Sequence, residues 1–263
     1  MDFSSKRILI TGGSKGIGLA LFQELKKRGA KDFAILARKI GPINDLRDAH
    51  PEVNILPIAC DLGSPVSINN AILHLERDWG KLDILINNAG VVSAGTLEEV
   101  SDEDIVQQVN INLTGLILLT KKCLPFLKKS KEAAIVNVSS GLGYIAWPFY
   151  SVYAATKAGV RQFSDAMRRD LIDYPIHVMT IYPTSTDTPM MTNAKVEGEM
   201  DSPEMVAKES IDGLEKGELN VIFGGQQRLD DIQTNFHDPK KIDEKAKERY
   251  ESLRKRTEEH RAM

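Results

Sequence analysis

The sequence predicts an α/β fold: a single domain on a doubly wound, mostly parallel, seven-stranded sheet with helices on both faces. Three observations carry that expectation. Short apolar, β-rich runs alternate with amphipathic helical patterns through most of the 263 residues. The runs are apolar on both faces, as parallel strands covered by helices on each side must be. With 42% hydrophobic residues, the chain is also long enough to bury a large core as one unit.

The first strand, "RILITGG", ends in glycines, and "GLALFQELKKRGA" follows as an amphipathic helix closed by Gly29. "DFAILAR" and "VNILPIACDL" are the next two strands, "INNAILHLERDWG" a helix, and "LDILINNAG" a fourth strand ending in glycine. One long helix is expected through "DIVQQVNINLTGLILLTKKCLPFLKK". After it come a fifth strand, "AAIVNVSS", a helix starting near Tyr153, a sixth strand, "IHVMTIYP", and a seventh, "LNVIFGG". Sheets of this kind bind ligands at the carboxyl ends of their strands.

Residues 1–228 carry this alternation, and residues 229–263 read as a charged C-terminal helical tail. In the tail Pro239 sits like a first-turn residue, and Ile242, Ala246, Tyr250 and Leu253 form one thin apolar stripe. The expectation is a helix lying on a surface, outside any site and dispensable for chemistry. A net charge of −3 gives no reason to expect nucleic acid or an anionic membrane as partner. The two cysteines, Cys60 and Cys123, suit a reducing compartment. No hydrophobic leader or membrane-length run is present, so a soluble cytoplasmic protein is expected. No Cys/His set suggests a metal, and no cluster of arginines marks an anionic substrate.

The turn after the first strand places glycines at Gly12, Gly16 and Gly18 with Lys15 among them. Such a turn can bring backbone close to a phosphate, and the helix behind it offers free N–H groups and a positive dipole end. Tyr153 and Lys157 are four residues apart, one helical turn on one face, where an ammonium can stabilise a phenolate. Tyr150 competes for the same role but has Ala154, not lysine, four residues on. Ser140 closes a buried strand thirteen residues before Tyr153, with Ser139 as its neighbour on the opposite face. Asn112 is a polar residue in an apolar helical stretch; it is either a satisfied buried amide or a functional break.

Five segments in order, "TGGSKGIG" (Thr11 to Gly18), "NNAG" (Asn87 to Gly90), "NLTG" (Asn112 to Gly115), the second serine of "VSS" and "YAATK" (Tyr153 to Lys157), resemble the motifs of short-chain dehydrogenases/reductases. The resemblance runs from Lys6 to about Gly225 and is to the short single-domain branch. It implies a Rossmann-type sheet, a nicotinamide cofactor, and hydride exchange between a carbonyl and an alcohol, with Asn112, Ser140, Tyr153 and Lys157 as the catalytic set. Asn112 would mark a local break holding a water on a proton path to Lys157. Cofactor contacts implied are Gly12, Ser14, Lys15, Gly16, Ile17, Gly18, Asp61, Leu62, Asn88, Ala89, Gly90, Tyr153, Lys157, Pro183, Thr186 and Thr188, with Asn87 structural.

Members that prefer NAD carry an acidic residue where Ala37 stands here. Arg38 follows instead, and with Lys15 it would form two prongs around an adenosine 2′-phosphate, so the cofactor expected is NADP(H). Thr184 stands where the family has glycine, and a β-branched residue resists positive φ, so this loop is expected to depart from the family's.

Tyr144, Trp147, Phe149 and Tyr150 on one side and Met190 and Met191 in a lid on the other are candidate walls for an apolar or aromatic ketone or aldehyde. The aromatics could equally pack at a subunit contact. Relatives commonly pair through the helices carrying Asn112 and Tyr153, so a homodimer or larger homo-oligomer is implied. A non-catalytic NADP(H)-binding regulatory or assembly protein is the rival reading, and an enzyme doing epimerisation or dehydration by transient oxidation a third.

Overall fold

A computed structural model describes every residue from Met1 to Met263. Nine strands occur in chain order: β1 (Arg7–Thr11), β2 (Asp32–Ala37), β3 (Asn54–Ala59), β4 (Ile84–Asn87), β5 (Val92–Ser93), β6 (Ala133–Val138), β7 (Ile176–Tyr182), β8 (Asn220–Ile222) and β9 (Arg261–Ala262). The helices are α1 (Gly16–Lys27), α2 (Gly41–Ala49), α3 (Pro65–Asp78), α4 (Asp102–Val109), α5 (Leu116–Leu127), α6 (Ser151–Asp170), α7 (Pro203–Lys216), α8 (Gly225–His237), α9 (Pro239–Glu248) and α10 (Tyr250–Thr257). Seven strands form one sheet in the order β3-β2-β1-β4-β6-β7-β8, every pair parallel. The expected doubly wound sheet is therefore present, with all seven expected strands in it. No helix is long and apolar enough to cross a membrane.

All six residues of β6 are buried, as a central parallel strand between two helical layers requires. On one face Leu21, Phe22 and Leu25 of α1 and Ile211 and Leu214 of α7 pack on Ile8, Ile10, Ile86 and Val136. On the other, Ile68 and Leu75 of α3, Leu119 and Phe126 of α5 and Met167 of α6 cover Leu9, Leu85, Ile135 and Val178. Each such side chain contributes about 1.5–3 kcal/mol on burial. Strand order reverses between β1 and β4, which opens a crevice at their carboxyl ends.

The expected long helix is present and unbroken from α4 to α5, with a π-helical stretch, Asn110–Gly115, inside it. The extra residue per turn turns Asn112 toward Val91, and Gly115 has no room for a side chain because the Leu62 carbonyl lies against it. Helices α2 and α7 and the pair β5/β9 were not read from the sequence. Thr184 does not strain its loop: Phe149 is the only non-glycine residue at positive φ, and the Thr184 hydroxyl donates to the Asp201 carboxylate.

The tail departs most from expectation. Ile242 is buried and Lys245 pairs with Asp231 at 2.6 Å, fastening α9 to α8. Beyond α10 the chain turns back, and β9 pairs antiparallel with β5 at the mouth of the crevice. Arg261 holds the buried carboxylate of Asp104 with two hydrogen bonds, at 2.7 and 2.8 Å. A tail lying outside the site is thus corrected: most of its charged side chains face solvent, as expected, but its end is anchored to the body of the domain and borders the cleft.

Candidate active site

One cleft of about 1310 Å³ runs along the carboxyl ends of the strands. At one end is the glycine turn. Gly16 has φ 54°, and a side chain there would meet Thr188 at 3.2 Å, so glycine lets the later loop close over the turn. α1 begins without a side-chain cap, which leaves its first N–H groups facing the cleft. Gly12, Ser14, Lys15, Gly16 and Ile17 all line it; Gly18 does not. A side chain at Gly18 would collide with the Gly12 carbonyl and the Asn88 amide, so this glycine serves helix-to-strand packing, a correction to its expected place among the cofactor contacts.

The turn is held by β4. Thr11 Oγ1 accepts from the backbone N–H of Asn88 at 2.9 Å and of Ala89 at 3.0 Å, while Asn88 Nδ2 donates to the Thr11 carbonyl at 2.9 Å. Asn87 is buried and donates to Thr120 Oγ1 and Asn137 Oδ1, a structural place. Lys15 and Arg38 stand at the same end of the cleft, joined by Lys39, which the sequence reading missed. Asp61, Leu62, Asn88, Ala89, Gly90, Pro183, Thr186 and Thr188 line the cleft as expected.

The middle of the cleft brings together Ser140, Tyr153 and Lys157. Lys157 Nζ is buried, donates to the Val138 carbonyl at 2.9 Å and lies 5.6 Å from the centre of the Tyr153 ring. Burial pulls its pKa down to about 8. Burial pushes the Tyr153 phenol well above the usual tyrosine range; Tyr150 adds to this and the Ser140 hydroxyl acts against it. Ser139 also borders the cleft, but its hydroxyl donates to the Lys157 carbonyl at 2.8 Å and so locks β6 to α6. That leaves the Ser140 hydroxyl, which caps a short turn through the Leu142 N–H, with its proton uncommitted.

Asn112 does not face the cleft. Its Oδ1 accepts from the Val91 N–H at 2.8 Å and its Nδ2 donates to the Val91 carbonyl at 2.9 Å and to Thr156 Oγ1 at 3.2 Å. The break and the satisfied amide are therefore both present.

Of the expected substrate walls, Trp147, Tyr150, Met190 and Met191 line the cleft. Tyr144 and Phe149 do not. Tyr144 packs on Tyr182 with ring centres 4.5 Å apart and under the Arg161 guanidinium. Phe149, at φ 72°, turns its ring to Tyr250 and its carbonyl to the Gly95 N–H, and so bends the chain that presents Tyr150.

The rest of the cleft wall comes from Arg228, just before the tail, and from the tail's Arg249, Leu253, Arg256, His260, Arg261, Ala262 and Met263. His260 Nδ1 is 2.8 Å from the Tyr150 hydroxyl and Nε2 is 3.0 Å from the Met190 carbonyl. A carbonyl only accepts, so Nε2 carries the proton and Nδ1 accepts from Tyr150. Burial lowers the His260 pKa, which keeps this neutral form. Arg38 donates to the Met263 carbonyl at 3.0 Å. The only sequence signal for this wall was the histidine and two apolar residues closing an otherwise charged run.

A family model described as short chain dehydrogenase matches residues 6–198. The chain belongs to the short-chain dehydrogenase family. A 3-amino-tetrahydro-pyrrolizinone reductase from Xenorhabdus hominickii is 32% identical over 200 residues, which cover 74% of this chain and 66% of that one. An NADP-dependent 3-hydroxy acid dehydrogenase from Schizosaccharomyces pombe is 30% identical over 187 residues, 70% of this chain and 72% of the other. Among solved structures, a short-chain dehydrogenase from Sphingobium yanoikuyae in complex with NADPH superposes with a TM-score of 0.77 at 27% identity, over 88% of this chain and 94% of that one. The family match ends at residue 198, so the tail wall lies outside it.

Proposed function

We propose that this short-chain dehydrogenase is an NADP(H)-dependent oxidoreductase that exchanges hydride between the nicotinamide and a carbonyl or alcohol, working as a reductase of ketones or aldehydes. The observation that carries this reading is the convergence of Ser140, Tyr153 and Lys157 in one cleft with the glycine turn and the uncapped start of α1. The volume suits a dinucleotide with a substrate beside it. The turn and the α1 N–H groups would hold the diphosphate, and Lys15 and Arg38 the 2′-phosphate. Asp61 and Leu62 would meet the adenine, Asn88, Ala89 and Gly90 the adenosine ribose, and Thr186 and Thr188 the nicotinamide end.

Bound NADPH would supply hydride. The protein supplies position and a proton. Ser140 donates to the carbonyl oxygen and so favours developing alkoxide character. Tyr153, kept protonated by its burial, gives its phenolic proton to that oxygen, and Lys157 counters the phenolate that remains. Asn112 fixes Val91 beneath this group, and a water on its π-helical break would return the proton by way of Lys157. Trp147, Tyr150, Met190 and Met191 exclude solvent from the carbonyl.

A homodimer is part of the proposal, through α4, α5 and α6; Val106 and Val109 are exposed on α4, and light scattering reads the mass. A cytoplasmic location is likewise proposed, on the two unpaired, buried cysteines. The activity is tested by NADPH absorbance loss over a panel of carbonyl compounds. Reduction of at least one, abolished in Tyr153→Phe, supports it; NADPH binding with no turnover of any supports the non-catalytic binder instead.

A further inference from the structure

Among the side chains lining the cleft, the one carboxylate is Asp61, at the adenosine end. Toward the substrate end stand Arg228, just before the tail, and Arg249 and Arg256 within it, and none of these three forms an ion pair, whereas Arg261, also at the cleft, is held by Asp104. Arg228, on α8, is half-buried, and its guanidinium lies against Gly141, the residue after Ser140: a side chain there would meet its Cζ and an Nη at 3.3 Å. It makes no hydrogen bond within the protein; burial chiefly disfavours its charge, Asp231 favours it, and the neighbouring Arg249 disfavours it. Its nearest acid, Asp231, is taken by Lys245 at 2.6 Å and by Gln227 at 3.0 Å. Arg249 lies over the Trp147 ring at 5.7 Å. Arg256 gives one N–H to Ser185 Oγ at 2.9 Å and keeps a buried Nε without a partner.

The contrast within the tail is informative. Arg254, which does not border the cleft, is paired with Glu99, and Arg261, which does, is paired with Asp104. Of the four arginines from residue 228 onward that border the cleft, Arg261 is paired with Asp104, and Arg228, Arg249 and Arg256 form no ion pair. A half-buried guanidinium with no hydrogen-bond partner costs stability unless something that binds there supplies one. The cofactor's phosphates have their own partners at the glycine turn and at Lys15 and Arg38, the far end of the cleft.

We propose that the substrate is an oxyanion-bearing carbonyl compound, a carboxylate or a phosphate ester, whose anionic group is held by Arg228 with Arg249 and Arg256 around it. The planar fork of Arg228 suits two parallel N–H···O bonds, and its place beside Ser140 keeps the anion within a few bonds of the reacting carbonyl. Trp147 and Tyr150 flank the remainder. The proposal rests on the carbonyl-reductase reading and specifies its substrate class; it departs from the expectation that no cluster of arginines marks an anionic substrate.

The test uses the full chain saturated with NADPH and matched probe pairs: 2-oxo and 3-oxo acids with their methyl esters, and phosphorylated aldehydes with their unphosphorylated parents. Calorimetry reads binding and NADPH absorbance reads turnover. At least one anion should bind about ten-fold or more tightly than its neutral partner, and which arm does so separates carboxylate from phosphate. Arg228→Gln should bring that ratio to within about two-fold with NADPH affinity unchanged, and Arg228→Lys, which keeps the charge without the fork, should retain part of it. No anion binding better than its neutral partner, or a preference that survives in the Arg228→Gln/Arg256→Gln double variant, overturns the proposal. Anions that bind through Arg228 but are never reduced would leave this assignment standing and remove the reductase reading. Neutral ketones reduced with no charge preference would do the reverse.

Discussion

At the adenosine end the cleft is walled by short segments that leave the ends of β1, β2 and β4, each at most a few residues from the strand that aims it. At the substrate end the wall is assembled from α8, the start and end of α10, and the last four residues, which lie far apart in the chain and are joined to the body by Arg261–Asp104, His260–Tyr150 and the β5/β9 pair. The first kind of wall comes with the sheet: fold the strands and it is there. The second depends on the tail docking correctly, so it is the part of the site that can change chemistry without disturbing the sheet.

The comparison breaks most visibly at the point where the two ends meet. Tyr153→Phe keeps the ring and its packing but removes the proton donor, and turnover should fall by about 10²–10⁴-fold with NADPH affinity retained. A variant within a few-fold of wild type would mean that another group moves the proton. Tyr150→Phe, by contrast, loses the hydroxyl that His260 accepts from, so its effect should show in substrate KM and not in kcat.

Arg38→Asp sharpens the view of the adenosine end. It removes one prong and adds repulsion, so kcat/KM for NADPH should drop about ten-fold or more while that for NADH changes little. Both are measured on one substrate, and an unchanged cofactor preference would remove the 2′-phosphate assignment.

The smallest effect concerns pH at the substrate end. The folded pKa of His260 lies below the ordinary 6.5, so below that pH the unfolded tail takes up the proton more readily than the docked one. The docked state thus loses stability as pH falls below 6.5, whereas the depressed pKa of Asp104, set chiefly by Arg261, keeps that second anchor intact further into acid. Proteolysis of the tail, followed from pH 7 down to about 5, should speed up in wild type and be flat in His260→Phe. Equal pH dependence in both would assign the effect to another group.

What the sequence made legible follows the same division. Apolar, β-rich runs marked every strand of the main sheet, because a strand buried on both faces has few alternatives. The motifs at the strand ends were legible because a turn that approaches a phosphate needs glycine at fixed positions. Gly18 was misread because a glycine needed for packing and one needed for a ligand look the same in sequence. Tyr144 and Phe149 were misread because an aromatic residue beside a site can face the core as easily as the cleft, and the direction was set by the positive φ of Phe149. The tail was least legible: its arginines are spread among acids and lysines, and only docking distinguishes Arg254 and Arg261, which are paired, from Arg228 and Arg256, which are not.

The central claim is that the tail walls the substrate end and reaches the cofactor end only through Met263 at Arg38. The direct measurement is a pair of titrations, NADPH and then a reducible carbonyl substrate, on the full chain and on a chain ending at Glu248, with circular dichroism confirming that the sheet remains folded. The account predicts substrate kcat/KM lower by about ten-fold or more, with NADPH affinity within about three-fold, the latter because only the Arg38–Met263 contact is lost at that end. NADPH affinity falling as far as substrate kcat/KM, or both remaining at wild-type values, would contradict it.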